Sequence, residues 1–242
     1  MIEMGQSRVL VTGGAGFIGS ALVWGLNRRG TARVVIADRL GRSSKWRNLR
    51  ALRFEDYVEA DRLIEKLEAD ALGTFDFVLH MGACSSTTEQ DASYLARNNY
   101  EFSQRLCGWA LQHGARFLYA SSAATYRDGE QCRDFVYVKD VVEMTLHLAA
   151  HGVAGLFNVG SGEAHTWVDL VRPIFAALGR EERIEFVDMP ATLRDTYQYH
   201  TQADVTRLRA TGYSTPPTPL DASVTDYVRG YLLPGQHLGD EA

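Results

Sequence analysis

Short apolar runs, separated by glycine, proline and polar clusters, set the rhythm of the chain. Val9-Leu10-Val11, Val34-Val35-Ile36-Ala37, and the runs at 75–80 and 116–120 are too uniformly apolar for half-exposed strands and read as buried parallel ones. Between them the spacing becomes helical: Leu22, Val23 and Leu26 within 20–29, which Gly30 ends, and Leu63, Ile64 and Leu67 within 61–71. Strand alternating with helix predicts an α/β fold, a Rossmann-type doubly wound parallel sheet.

Later positions continue the alternation less regularly. A helix opens at Asn98-Asn99, with Tyr100, Leu106 and Trp109 as its apolar partners. Asparagine inside a helix is unfavourable unless its amide is used, so one of the two is expected to bond to a loop or ligand. Residues 133–138 and 157–160 read as short strands, and 140–149 as a helix capped by Asp140. Residues 167–178 form a helix capped by Thr166 and stopped by Gly179, which makes His165 a loop residue. A small strand at 184–187, a short helix at 204–210, a proline-rich connector and an amphipathic helix at 220–233 follow, and 235–242 reads as a polar tail without a task.

The chemistry starts where the first run meets Gly13-x-x-Gly16-x-x-Gly19. Gly13 lets the chain turn off the strand, Gly16 leaves the backbone bare toward a pyrophosphate, and Gly19 lets the new helix sit close, with Phe17 and Ile18 between them as further cofactor contacts. Free N–H groups of that first turn favour an anion. The second run ends in Asp38, where a ribose 2′-hydroxyl would be held. Together these predict a dinucleotide site. An acid alone prefers NAD, because it repels a 2′-phosphate, whereas Arg39, Arg42 and Lys45 supply cations that suit NADP. NADP leads, with NAD as the alternative.

Small residues after the run at 75–80, among them Met81, Ala83 and Ser85, allow a cofactor to lie across the sheet's carboxyl edge, and Asn98 is a further candidate contact. His80 and Cys84 read as packed residues rather than a base and a nucleophile. Asp56 has two open roles, approaching the adenine or capping the helix that follows. Ser122, beyond the run at 116–120, is placed to hydrogen-bond a substrate oxygen.

With 242 residues and 45% apolar content the chain can bury one large core and a small annex. A net charge of −5 gives no field for nucleic acid, and no run of ~18 apolar residues is available for a membrane. The three cysteines are unclustered, which suggests free thiols, a reducing compartment and a cytoplasmic location; no metal site is expected.

VTGGAGFIGS at 11–20, HMGACSSTT at 80–88, RNNY at 97–100, YASSAATY at 119–126, RDFVYVKDV at 133–141, FNVGSG at 157–162 and TYQYHTQADVTRLRATGY at 196–213 occur in that order. Together they resemble the extended short-chain dehydrogenase/reductases, and among them the family of ADP-glyceromanno-heptose 6-epimerases. The resemblance covers nearly the whole chain and implies inversion of C6 in an ADP-heptose by transient oxidation and re-reduction with bound NADP. It implies a homo-oligomer, a dinucleotide-binding part mainly in 1–165, and a substrate lobe mainly in 166–242. Ser86, Thr87, Ser122, Ala123, Arg194 and Tyr197 would contact substrate, Arg194 reaching the diphosphate.

One departure stands out. The family has a catalytic tyrosine with a lysine four residues on, yet no Tyr-x-x-x-Lys occurs in this sequence. Tyr126 is followed directly by residues that resemble a later part of the family. A segment omitted near 126/127 is the expectation, because a true deletion would expose core; the alternative is an inactive dinucleotide-binding protein.

Overall fold

The computed structural model describes residues 4–86, 89–120, 132–184 and 200–240. Contacts divide the chain into two compact units: 1–121 with 146–153 and 237–242, and 122–145 with 154–236. The numbered sequence itself continues without interruption through 126/127.

In the first unit, β1 (Val9–Thr12) leads into α1 (Phe17–Arg28), β2 (Val34–Asp38), β3 (Asp56–Glu59), α2 (Ala60–Glu68) and β4 (Phe77–His80). Next come α3 (Ala92–Leu95), a π-helical turn at Ala96–Glu101, α4 (Phe102–Gln112) and β5 (Arg116–Tyr119). The strands pair in parallel in the order β3-β2-β1-β4-β5, the doubly wound arrangement expected. All residues of β1, β2 and β4 are buried, which explains their unbroken apolar runs. Leu10, Val35, Ala37, Val58 and Val78 point to one face, where Leu63, Ile64 and Leu67 of α2 and Leu106, Trp109 and Ala110 of α4 cover them. The Trp109 indole donates to Leu67 O at 3.2 Å.

Several boundaries differ from expectation. α1 starts at Phe17, because Gly16 serves as its N-cap. β3 begins at Asp56, whose carboxylate accepts from the Tyr57 N–H at 2.8 Å. Asp56 therefore stands at the amino end of a parallel strand, and Glu59, not Asp56, occupies the α2 N-cap position. The tail also has a place: Arg50 donates to Asp240 Oδ2 at 2.6 Å, the His237 N–H donates to the same carboxylate, and Gly239 packs on Ala51 and Leu52.

In the second unit, β6 (Cys132–Arg133) pairs antiparallel with β7 (His165–Thr166). α5 (Val138–His151) starts in this unit and ends in the first. α6 (Trp167–Leu178), α7 (Thr206–Arg209) and α8 (Leu220–Tyr227) complete it, α8 running on as a π-helical turn through Val228–Leu232. The predicted cap of α6 is present as a full capping box between Thr166 and Asp169, and Gly179 closes the helix. Ala177 of α6 packs with Val224 and Val228 in a small separate core.

Asp140 does not cap α5. It lies inside the helix, and its carboxylate accepts from the N–H and hydroxyl of Thr218 at 2.7 and 2.8 Å. The stretch 157–160 forms no strand; Asn158 reaches Asp204 O, and Gly160 fits against Asp134 and Ala203. Asp134 gathers this region, accepting from Ser161, Gly162 and Ala203. The strand expected at 184–187 extends beyond the described residues.

Candidate active site

The carboxyl edge of the first unit's sheet concentrates the predicted cofactor residues. At the end of β1, Gly13 adopts φ +65°, and a Cβ there would stand 2.8 Å from the Cα and N of Gly82. The turn and the loop after β4 thus touch backbone to backbone, which only glycine permits. A Cβ on Gly19 would approach Gly13 O to 2.1 Å, so this glycine lets α1 close upon the turn. No side chain caps the N-terminus of α1, where Phe17 and Ile18 are exposed. Bare backbone and an uncapped helix end fit a pyrophosphate.

Asp38 is buried at the tip of β2 and receives three donors: the Ala15 N–H at 2.9 Å, the Arg39 N–H at 2.6 Å and Lys45 Nζ at 2.5 Å. Asn48, which no sequence motif marks, donates to Ala15 O at 2.9 Å. Ala15 is therefore held from both sides. The Tyr57 hydroxyl donates to Asp38 O at 2.6 Å, and burial pushes this phenol up to about 12, so it remains a neutral donor.

Arg39 does not stand free toward a 2′-phosphate. Its guanidinium bonds the Asp61 carboxylate, at 2.8 Å through Nε, and reaches Asn98 Oδ1. The hydrogen bond with Asp61 raises Arg39 and lowers Asp61 from their ordinary values. Asn98 in turn donates to Asn99 Oδ1 at 2.8 Å. Asn99 clamps the backbone of Cys84, accepting from its N–H at 2.8 Å and donating to its carbonyl at 2.9 Å. The expectation that one of the paired asparagines bonds across to a loop is met by Asn99. The π-helical turn aims both amides, and no local sequence signal announces it.

A continuous set of contacts thus runs from Lys45 through Asp38, Arg39, Asn98 and Asn99 to Cys84. Met81 N–H donates to Thr12 O at 3.2 Å, while Ala83, Ser85 and Ser86 lie exposed on the loop. Gly82 is the piece on which the turn closes. Ser122 and Ala123, with Thr87, Arg194 and Tyr197, lie outside the described residues. All three cysteines are free, and no metal-binding cluster occurs among the described residues.

His80, 1% exposed, is a packed residue as expected. Burial pushes its imidazole down to about 4, so it is neutral near pH 7. No helix among the described residues is long and apolar enough to cross a membrane.

A model of the NAD dependent epimerase/dehydratase family matches residues 9–131 and 125–160. An ADP-L-glycero-D-manno-heptose-6-epimerase of Nitratidesulfovibrio vulgaris is 37% identical over 314 aligned positions, spanning 92% of this chain and 97% of that protein. One of Fusobacterium nucleatum is 29% identical over 93% of this chain and 98% of its own length. Since 314 positions exceed the 242 residues present, the first relative carries positions without a counterpart here. The family match itself comes in two pieces that overlap at 125–131, where the expected Tyr-x-x-x-Lys segment fails to follow Tyr126.

Among solved structures, ADP-L-glycero-D-manno-heptose-6-epimerase of Helicobacter pylori superposes with TM-score 0.80 at 21% identity, covering 95% of this chain and 97% of that one. UDP-glucose-4-epimerase from Stenotrophomonas maltophila gives 0.77 at 19%, covering 96% and 100%. Both share the fold. By the family match and the relatives together, the chain belongs to the NAD dependent epimerase/dehydratase family, on the branch whose named members are ADP-heptose 6-epimerases.

Proposed function

We propose that this chain is an epimerase that inverts C6 of the heptose in ADP-D-glycero-D-manno-heptose to give the L-glycero isomer, with NADP as cofactor. The observation that carries the reading is 37% identity to an enzyme of that name across 92% of the chain. The bonded edge from Lys45 to Cys84 supports it. When bound, the dinucleotide supplies transient oxidation at C6 and re-reduction from the opposite face. The chain's own part is to hold and orient. Gly16 leaves backbone bare for the pyrophosphate, Gly13 makes the turn that closes on Gly82, and Phe17, Ile18 and Gly19 open the helix above it.

Lys45 favours NADP. A buried Asp38 carboxylate would repel a 2′-phosphate, but the ammonium at 2.5 Å neutralises it and leaves donors to spare. Arg42 adds a second cation, and Arg39 becomes available if it leaves Asp61. NAD remains the alternative cofactor. Met81, Ala83, Ser85 and Asn98 flank the dinucleotide. Ser86, Thr87, Ser122, Ala123, Arg194 and Tyr197 meet the sugar nucleotide, with Ser122 orienting the reacting hydroxyl. The dinucleotide part lies mainly in 1–165 and the substrate lobe mainly in 166–242. The enzyme works as a cytoplasmic homo-oligomer.

A second reading has its own observation: the sequence contains no Tyr-x-x-x-Lys to handle protons at C6. Such a chain would hold dinucleotide and sugar nucleotide without turning over. Purified protein, checked by intact mass against 26.9 kDa, is loaded with NADP⁺ and given ADP-D-glycero-D-manno-heptose, and product stereochemistry is read by NMR. Conversion supports the epimerase, and binding without conversion supports the second reading. Conversion of a different nucleotide sugar in a parallel panel would move the assignment within the family.

A further inference from the structure

Thr12 and His80 are partners in register at the carboxyl ends of β1 and β4. Below them the two strands are wholly apolar, so this polar pair interrupts the core just where the site begins. His80 Nδ1 lies 2.5 Å from Thr12 Oγ1, and Nε2 lies 2.8 Å from Ser103 Oγ. Ser103 donates to Asn99 O at 2.7 Å, and Thr12 Oγ1 accepts from the Gly82 N–H at 3.2 Å.

These contacts fix the direction of every proton. Ser103 uses its single hydrogen on Asn99, so it must accept from Nε2–H. With the proton of a neutral ring on Nε2, Nδ1 can only accept, so Thr12, which accepts from Gly82, gives its hydrogen to Nδ1. The order is Gly82 N–H to Thr12, Thr12 O–H to His80, His80 Nε2–H to Ser103, and Ser103 O–H to Asn99 O. Both ends return to one loop, since Gly82 closes on Gly13 and the Asn99 amide clamps Cys84.

We propose that His80, held as the neutral Nε2–H tautomer, is a positioning residue that fixes the loop at 82–84 against the glycine turn and so sets the gap in which a dinucleotide lies. The proposal rests on the dinucleotide-binding reading above. A packed aromatic would fill the same space, among the rings of Phe102, Phe117 and Tyr119, but could not join the turn to α4. The groups facing the imidazole are Thr12 from β1, Phe102 and Ser103 from α4, and Phe117 and Tyr119 from β5. Tyr119 is the one titratable side chain among them, and none is a carboxylate or a cation. A second proton on Nδ1 would demand that Thr12 accept twice and lose its own acceptor, which breaks the order. The depressed basicity of the buried imidazole agrees with this arrangement.

The tautomer is read directly by ¹⁵N NMR of the imidazole in the full chain, with an Nε2–H, Nδ1-bare ring expected at pH 7. An Nδ1–H tautomer or an imidazolium there overturns the proposal. Titration with NADP⁺ and NAD⁺ supplies the second measurement. Thr12→Val and His80→Phe should each weaken binding about tenfold, the effect of one or two lost hydrogen bonds, while Thr12→Ser, which keeps the hydroxyl, should stay within about twofold of the wild type. Equal affinity in Thr12→Val and Thr12→Ser overturns it. If the wild type binds neither dinucleotide, the cofactor reading fails, and His80 is judged by amide exchange at Gly82. Faster exchange in Thr12→Val than in Thr12→Ser supports the positioning role, and equal exchange rejects it. Should Thr12→Val not fold, the wild-type tautomer and the His80→Phe titration still decide.

Discussion

At the end of β1 backbone meets backbone, with Gly13 against Gly82 and Gly19 against Gly13; at the end of β2 side chains do the holding, with Lys45 on Asp38 and Arg39 on Asp61. The two ends border the same site, yet they tolerate change differently. A close backbone contact has no slack, because a single added carbon must displace a peptide group. An ion pair can lengthen, rotate or exchange partners, so the β2 end can adapt to what binds there while the β1 end cannot.

The sharpest way to break this contrast is Gly13→Val. It combines a left-handed backbone with a Cβ at 2.8 Å from Gly82, and we expect a loss of about 3 kcal/mol in urea unfolding together with dinucleotide binding. A change under about 0.5 kcal/mol would show that the turn relaxes as freely as the ion pairs.

Next in size is the acid response of His80. Its imidazole titrates near 4 when folded but near 6.5 when unfolded, so the unfolded chain takes up a proton first as pH falls. The stability tied to the neutral ring is complete above about 6.5 and is lost progressively toward 4, by at most about 3 kcal/mol. Unfolding free energies measured across that window should flatten by this amount in His80→Phe. An unchanged slope would assign the acid loss to other groups.

Lys45→Ala should cost NADP⁺ about tenfold in affinity and NAD⁺ much less, measured by calorimetric titration. Equal losses for both cofactors would mean that Lys45 supports Asp38 alone. Smallest is Asp61→Asn. The pair with Arg39 is exposed, so stability should move by under about 0.5 kcal/mol, while freeing Arg39 should improve NADP⁺ binding slightly. A large loss of stability would make the β2 end as rigid as the β1 end.

How legible each part was follows from the reach of its contacts. The β1 turn, the acid of β2 and the capping box of α6 depend on neighbours within a few residues, and spacing exposed them. Gly82 gave no signal because its meaning lies in touching Gly13, on another strand. Asp140 looked like a cap by position, yet its carboxylate answers Thr218, far along the chain. Arg39 looks like a free cation in the sequence because nothing local reveals Asp61 and Asn98 as its acceptors. The family motifs made the site recognisable as a whole. They said little about which side chains are already engaged with one another.

The Arg50–Asp240 clasp gives the first unit an order of assembly. Strands β1 to β5 all lie within residues 9–119, but Leu52, buried beside the exposed Ala51, stays uncovered until Gly239 arrives. The 3₁₀ turn at Ser44–Leu49, which carries both Lys45 and the Asn48 that pins Ala15, precedes those residues directly. The wall of the cofactor cradle that carries Lys45 and Asn48 is therefore sealed by a clasp whose two halves stand 190 positions apart in the chain.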